Sequence, residues 1–269
     1  MRFPPYVGIT GFMRREEVEV LLENTDPELF GGRRQLMVGV LVSSKTMAGL
    51  PNRWPGRYPK IEEISGILTD SEYCTNIIHF NTDNPGDLAK DLVQLMEIGG
   101  PNCHGVQLNV RWPDPQVLAD FKEKFERKRI ILQLGRSILN RATWNTTEFQ
   151  ASLERYLSGF TPIIDDILYD PSGGHGRTDW APDETLNFFR KLKSLVFPHV
   201  GLGFAGGLCA EKLPNYRFLF DEFRMILSID IEGAVRTPKH DPPTSSLNIY
   251  KAYAYLIGAL SMFYPGVYL

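Results

Sequence analysis

Short apolar segments rich in β-branched residues recur along the whole chain, and segments with helical periodicity separate them. We predict eight strands, at Tyr6–Thr10, Leu36–Val42, Asn76–Phe80, Gly105–Val110, Ile130–Leu134, Asp166–Asp170, Val200–Phe204 and Ile226–Ile231. Nearly continuous apolar runs are typical of strands that are buried on both faces, as in a parallel sheet. Parallel neighbours need a crossover connection between them, and a helix usually supplies it.

The intervening segments carry helix signals. Leucine and methionine recur at helical spacing in Pro85–Ile98, and a capping-box pattern at residues 145–148 precedes Phe149–Leu157. The other predicted helices are Pro113–Phe125, Pro182–Leu195 and Leu247–Phe263. Eight strands that alternate with helices predict a (β/α)8 barrel, the TIM barrel, built as a single domain from residues 1–269. An open doubly wound sheet is the structural alternative.

Composition narrows the possible partners and the compartment. A net charge of -3 and 43% hydrophobic residues are typical of a globular protein and indicate neither nucleic acid nor a membrane surface as partner. The uncharged segment 252–269 is interrupted by Gly258 and Pro265, so we predict a final helix packed on the barrel. Cys74, Cys103 and Cys209 are odd in number and far apart, which favours reduced thiols and a cytoplasmic protein.

We predict neither a metal site nor a cofactor. The histidines lie on different predicted elements, and the sequence contains no P-loop, no HExxH motif and no nucleotide-binding fingerprint. The expected partner is a small molecule, and the sequence leaves open whether the protein is a monomer or a homodimer.

Two connections are longer than a barrel requires, and both follow the carboxyl ends of predicted strands. They are Ser43–Lys60 and Arg236–Ser246. Barrel active sites are built on that face, and loops of this length are usually functional. In the first loop, Arg53 and Arg57 could hold a carboxylate of a ligand, and Trp54 could stack on a ring or cover the site.

Several strand ends also match one family pattern, in chain order. Val7-Gly8-Ile9-Thr10 is similar to the family's Cys-Gly-Ile-Thr. The further matches are Gly105-Val106-Gln107-Leu108-Asn109, Ile167-Leu168-Tyr169-Asp170, Gly173-Gly174-His175-Gly176, Ala205-Gly206-Gly207-Leu208 and Ile229-Asp230-Ile231. From about residue 6 to residue 260, the chain resembles phosphoribosylanthranilate isomerase, a barrel enzyme of tryptophan biosynthesis.

This resemblance implies an Amadori rearrangement of a phosphorylated sugar derivative, without metal or cofactor. It implies a cysteine base after the first strand and an aspartic acid after the sixth. Asp170 matches the acid, whereas Val7 occupies the position of the base and cannot accept a proton. The chain also departs from the family at Asn109, Glu232 and Arg236. We therefore expect conversion of phosphoribosylanthranilate far below the rate of an ordinary family member.

Three residues are candidates for catalysis, and each has a simpler structural explanation. Asp170 ends an apolar strand, where a shielded carboxyl group suits a general acid, or it stabilises the following turn. Glu232 is the candidate replacement base, or it forms a salt bridge to an arginine. His175 could titrate near neutral pH, or it is a polar surface residue.

The candidate binding residues lie at the same strand ends. Backbone N–H groups of Gly173, Gly174, Gly206 and Gly207 could approach a phosphate closely, unless these glycines serve tight turns alone. Barrels frequently bind phosphate after strands seven and eight, and Arg236 is the predicted charge partner there. The remaining candidates are Arg53, Arg57, Asn109 and Asp230.

Three functions follow from these patterns. The first is an isomerase-like barrel that acts on or binds a phosphorylated sugar derivative. The second is a barrel enzyme of another class, such as an aldolase or lyase, with Asp170 and Glu232 as its acid–base pair. The third is a non-catalytic ligand-binding protein. Two convergent carboxylates at the barrel mouth would favour an enzyme, whereas an apolar plug around Val7 would favour the non-catalytic function.

Overall fold

The computed structural model describes residues 3–52, 54–82, 84–110, 113–135, 147–160, 163–172, 181–237 and 246–265. Within these ranges, eight parallel strands close into a barrel in sequence order, and the first strand pairs with the eighth. The strands are β1 (Tyr6–Thr10), β2 (Gln35–Ser43), β3 (Cys74–Asn81), β4 (Gly105–Leu108), β5 (Arg129–Leu134), β6 (Asp166–Tyr169), β7 (Gly201–Phe204) and β8 (Leu227–Ile231). The predicted (β/α)8 barrel is confirmed.

Helices surround this barrel and cover its outer face. They are α1 (Arg15–Glu23), α2 (Ser44–Met47), α3 (Ile61–Ile67), α4 (Leu88–Gly99), α5 (Pro115–Lys124), α6 (Thr147–Phe160), α7 (Pro182–Leu195), α8 (Arg217–Phe223) and α9 (Ile249–Phe263). The bounds of α7 agree with the prediction. The sequence analysis did not predict α3 and α8, because seven residues cover less than two helical turns and show little periodicity. None of the described helices is long and apolar enough to cross a membrane.

Both long connections contain short regular elements that the sequence analysis did not predict. The connection after β2 begins with α2, whose first N–H groups are capped by the side chain of Ser43. The connection after β8 begins with β9 (Arg236–Thr237), which pairs antiparallel with β10 (Ser246–Leu247). The last helix therefore begins at Ile249 and not at residue 247.

The barrel interior is built in layers. The inward residues of β5 are Arg129, Ile131 and Gln133, and those of β6 and the residue after it are Asp166, Leu168 and Asp170. They belong to a buried ion pair at the amino-terminal ends of the strands, an apolar middle layer and a hydrogen-bonded polar layer at the mouth. The middle layer consists of Tyr6, Met37, Ile77, Ile131, Leu168 and Ala205. This layer separates the polar mouth from the opposite end of the barrel.

Strand β1 has a register that matters for the site. A side chain at Gly8 would meet Met37 and the carboxylate of Asp230, at 2.7 and 2.8 Å, so position 8 faces the interior. Because neighbouring residues of a strand face opposite sides, Val7 and Ile9 point towards the surrounding helices, where both are fully buried.

Candidate active site

A cavity of about 190 Å³ lies at the carboxyl ends of the strands, which is the mouth of the barrel. Its polar and aromatic lining includes Trp54, Arg57, Tyr58, His79, Asn81, Gln107, Asn109, Gln133, Asp170, Ser172, Asp230 and Glu232. Three carboxylates therefore converge on one cavity, and part of the predicted long loop after β2 covers it. Val7 faces away from this cavity, so there is no apolar plug around Val7. The position that the resemblance gives to the base lies outside the mouth.

Asp230 is buried to the same extent as Asp170, with exposed fractions of 5% and 4%. Thr10 Oγ1 donates a hydrogen bond to its Oδ1 at 3.0 Å, and Gln107 Nε2 lies 3.4 Å from its Oδ2. Burial raises the pKa of Asp230 to about 7. The charges of Glu232 and Asp170 also raise this pKa, whereas the hydrogen bonds from Thr10 and Gln107 lower it. The Asp230 carboxyl group can therefore exchange a proton near neutral pH.

Two glutamine side chains connect Asp230 to Asp170. Gln107 Nε2 lies 3.5 Å from Gln133 Oε1, and Gln133 Nε2 donates to Asp170 Oδ2 at 2.9 Å. The other oxygen of Asp170 accepts hydrogen bonds from Ser172 N at 3.0 Å and from Ser172 Oγ at 2.6 Å. Asp170 thus faces the mouth and also holds the turn after β6, so both predicted roles are compatible with its position.

Gln107 also approaches the buried ring of His79, with 3.2 Å between Nε2 and Nδ1. Burial lowers the pKa of His79, which favours the neutral imidazole. The carboxamide oxygen of Gln107 is buried and has no hydrogen-bond partner among the described residues.

Glu232 forms the salt bridge that was the alternative to a catalytic role. Its Oε1 accepts a hydrogen bond from Arg57 Nη1 at 2.9 Å, and the Arg57 guanidinium lies 4.9 Å from the centre of the Trp54 ring. Both charged side chains are partly exposed, at 18% for Arg57 and 28% for Glu232. This pair links the loop after β2 to the loop after β8 at the rim of the mouth.

Arg236, the predicted charge partner of an anion, is buried beside the end of β1. It is 3% exposed, its Nη2 donates to the carbonyl oxygen of Thr10 at 2.6 Å, and burial lowers its pKa to about 10. A side chain at Gly11, whose φ is +97°, would meet the Arg236 guanidinium at 1.6 Å. The described lining of the mouth does not include Arg236, and its role towards an anion stays a prediction.

Gly206 and Gly207 do lie in the wall of the mouth, with φ values of +98° and +80°. A side chain at Gly206 would lie 2.7 Å from Asp170 Oδ1, so glycine is needed both for the backbone conformation and for close approach to this carboxylate. The predicted site residues Arg53, Gly173, Gly174 and His175 lie outside the described residues.

Two residues that contact the hydrogen-bonded network around Asp230 and Asp170 were not predicted from the sequence. They are Thr10 and Gln133. Their signal in the sequence is a polar residue at the carboxyl end of an otherwise apolar strand. In the described part of the chain, no group of three His, Cys, Asp or Glu side chains could hold a metal ion.

Comparisons with known proteins support the fold. No protein-family profile matches the sequence, and no curated protein sequence matches it. Among solved structures, the catalytic domain of a hyperthermophilic chitinase from Pyrococcus furiosus is similar to the chain, with 12% identity and a TM-score of 0.53. The alignment covers 100% of this chain and 99% of that one.

Another similar structure is the carboxyl transferase domain of Rhizobium etli pyruvate carboxylase with 3-hydroxypyruvate. It has 13% identity and a TM-score of 0.53, and the alignment covers 97% of this chain but 47% of that one. At these identities the likeness concerns the fold alone. Fold and site together define a (β/α)8 barrel whose mouth is lined by carboxylate and carboxamide groups.

Proposed function

We propose that this chain is an enzyme that catalyses proton transfer on a small sugar derivative, of the aldose–ketose isomerisation type, at the barrel mouth. The observation that carries the proposal is the buried Asp230 carboxyl group, whose pKa of about 7 lets it both accept and return a proton near neutral pH. An isomerisation of this type needs such a group. The base removes a proton from the carbon next to a carbonyl or imine, and the same group returns it to the neighbouring carbon.

The surroundings of Asp230 fit a polyhydroxylated substrate. Asn81, Asn109, Gln107 and Gln133 present carboxamides that can donate and accept hydrogen bonds, and Trp54 offers an apolar face at the rim. In this proposal Asp170 is the acid that protonates the sugar oxygen. Backbone N–H groups of the Gly206–Gly207 segment bind a phosphate, if the substrate carries one.

The aldolase or lyase alternative, with Asp170 and Glu232 as the acid–base pair, fits the geometry less well. Glu232 is hydrogen-bonded to Arg57, whereas Asp230 has no ion-pair partner among the described residues. The non-catalytic alternative rested on Val7, which points away from the mouth. Convergent carboxylates in the cavity favour an enzyme over a binding protein.

Deuterium exchange tests the proposal without knowledge of the product. The protein is incubated in D2O with a panel of aldoses, ketoses, their phosphates and phosphoribosylanthranilate, and deuterium on carbon is measured by mass spectrometry. We expect incorporation into at least one sugar or sugar phosphate, slow or no conversion of phosphoribosylanthranilate, and loss of incorporation by about 10²- to 10⁴-fold in Asp230→Asn.

Asp70→Asn, at an exposed position, is the matched control and should leave incorporation unchanged. Incorporation that persists in Asp230→Asn would remove Asp230 as the proton carrier. A panel without any exchange would contradict the isomerisation itself.

A further inference from the structure

A second cavity lies at the opposite end of the barrel from the mouth. It is an open concave surface lined by the segments that lead into β1, β2 and β8 and by the end of α9, and its volume is about 720 Å³. Ligand pockets for small organic molecules commonly measure about 300–1,000 Å³, so this cavity can hold one such molecule. The apolar middle layer of the barrel separates it from the mouth.

Much of the cavity wall is apolar. The ring of Phe263, the ring of Tyr264 and the side chain of Met225 line it together with prolines of the segment before β1. Met225 is 63% exposed, so it lies at the open rim of the cavity. Tyr264 is fixed in place, because its hydroxyl group donates to the carbonyl oxygen of Phe30 at 3.1 Å. This wall offers a preformed surface for the apolar body of a ligand.

The charged part of the wall is entirely basic among the described residues. Arg33, Arg34 and Arg224 line the cavity, and no described acidic side chain does. Arg34 is fixed, since it donates to the carbonyl oxygen of Leu227 at 2.6 Å and to that of Arg224, and its guanidinium lies 3.3 Å from the centre of the Phe263 ring. Three like charges that share one cavity create a positive potential, which an anion would relieve.

Two of these arginines have capacity left for a ligand. Neither Arg33 nor Arg224 forms an ion pair with a described residue, and Arg224 Nε is buried without a hydrogen-bond partner among those residues. A buried donor without a partner is costly, and guanidinium groups bind carboxylate and phosphate groups through paired hydrogen bonds. The unused donors therefore point to an anionic head group.

We propose that this cavity binds a single amphipathic organic anion. Its carboxylate or phosphate head lies against Arg33 and Arg224, and its apolar body packs on Tyr264 and Met225. Its concave shape and volume suit one molecule, and the vesicle experiment below distinguishes a free anion from a lipid head group. The site shares no residue with the mouth and does not depend on the function proposed above.

Calorimetric titration tests the proposal with octanoate and octyl phosphate as probes, each below its micelle concentration. We expect both to bind and octyltrimethylammonium not to bind. The double variant Arg33→Gln/Arg224→Gln should weaken binding about tenfold or more, since each charge-assisted hydrogen bond contributes about 1.5–3 kcal/mol and 1.4 kcal/mol is tenfold in affinity. Arg217→Gln, an exposed arginine on α8 paired with Asp221, is the matched control and should not change the affinity.

Met225→Glu supplies a second variant that leaves all three arginines intact. It places a negative charge in the apolar wall and should abolish binding of both anions, while a thermal melt shows whether the fold is kept. Equal binding of the cationic probe, unchanged affinity in the double variant, or no binding of either anion would overturn the proposal. A last experiment measures sedimentation of the protein with anionic vesicles. Binding to the vesicles without binding to octanoate or octyl phosphate would also overturn the proposal.

Discussion

Asp170 and Asp230 face the same cavity, but they are held in different ways. Described residues donate three hydrogen bonds to Asp170, two of them from Ser172. Asp230 is buried to the same extent and is held by Thr10 and Gln107. Such a difference in surroundings commonly separates the acid from the base at an active site. At the scale of single residues, the two carboxylates should therefore respond differently to the same substitution.

Asp170→Asn separates a catalytic role from a role in the turn. The amide keeps an oxygen for Ser172 but loses the ionisable proton, so turnover in the deuterium assay should fall by about 10²- to 10⁴-fold while ligand affinity changes little. Ser172→Ala is the control, because it removes the 2.6 Å hydrogen bond and keeps the carboxylate. Ser172→Ala should lower the stability of the fold by about 1 kcal/mol, measured by a thermal melt, and should keep most of the turnover. Unchanged turnover with a lowered melting temperature in Asp170→Asn would assign this residue to the turn alone.

Gly206→Ala tests the close approach of the loop after β7 to Asp170. The positive φ alone costs about 1–2 kcal/mol for a residue with a Cβ. The collision with Asp170 Oδ1 at 2.7 Å adds to this and displaces the carboxylate. Gly49→Ala is the matched control, since its φ is +66° and no atom lies within 4 Å of the added methyl group. Urea unfolding should show a larger decrease in the free energy of unfolding for Gly206→Ala than for Gly49→Ala, and the turnover of Gly206→Ala should also fall. Equal losses in the two variants would mean that Gly206 serves its backbone conformation only.

At the scale of elements, a buried ion pair joins β5 to β6 at the end of the barrel opposite the mouth. Arg129 and Asp166 are 0% and 2% exposed and form two hydrogen bonds, of 2.6 and 2.7 Å. Gly201 on β7 leaves room for this pair, because a side chain there would lie 2.0 Å from Asp166 Oδ1. Arg129 also donates to the carbonyl oxygen of Pro4 at 2.9 Å, so the pair fixes the chain that enters β1.

Replacing one partner of this pair should lower the free energy of unfolding more than replacing both partners. Arg129→Met leaves an uncompensated buried carboxylate and should lower the free energy of unfolding by about 3–5 kcal/mol. The double variant Arg129→Met/Asp166→Leu replaces both charges with apolar groups and should recover a large part of this loss. Urea unfolding measures both. A double variant that is less stable than Arg129→Met would show that the pair itself is strongly stabilising.

The eight strands could be predicted from the sequence because each is an apolar run, but the direction of their side chains could not. In β1, both faces are buried, so Tyr6-Val7-Gly8-Ile9-Thr10 shows no alternation of polarity that would reveal which residues point inward. For this reason the resemblance placed the base at Val7, whereas the inward neighbour is Gly8.

Part of the candidate site could also be predicted from the sequence. Asp170, Asp230 and Asn109 stand out as polar residues at strand ends, and all three line the mouth. Gln133 could not be assigned to it, because its contact with Asp170 depends on the register between neighbouring strands, which the sequence does not show.

At the scale of the whole molecule, a buried acid at the mouth should make stability depend on pH. The pKa of Asp230 is about 7 in the folded protein, whereas an aspartate in an unfolded chain has a pKa of about 3.9. Between these two values the folded state binds more protons than the unfolded state. The contribution of Asp230 to stability is therefore greatest below about pH 4 and is lost as the pH rises to about 7, by at most about 4 kcal/mol.

Asp230→Asn should remove this dependence while it removes activity. The amide cannot ionise, so the variant should be more stable than the unmodified protein at pH 8, and the difference should shrink as the pH falls towards 4. Urea unfolding at several pH values measures the difference, and Asp70→Asn, at an exposed position, should show none. A stability difference that is the same at every pH would mean that Asp230 has an ordinary pKa in the folded protein. Asp230 would then act as an ordinary carboxylate base, and the proton transfer proposed for the mouth would lose the raised pKa that supports it.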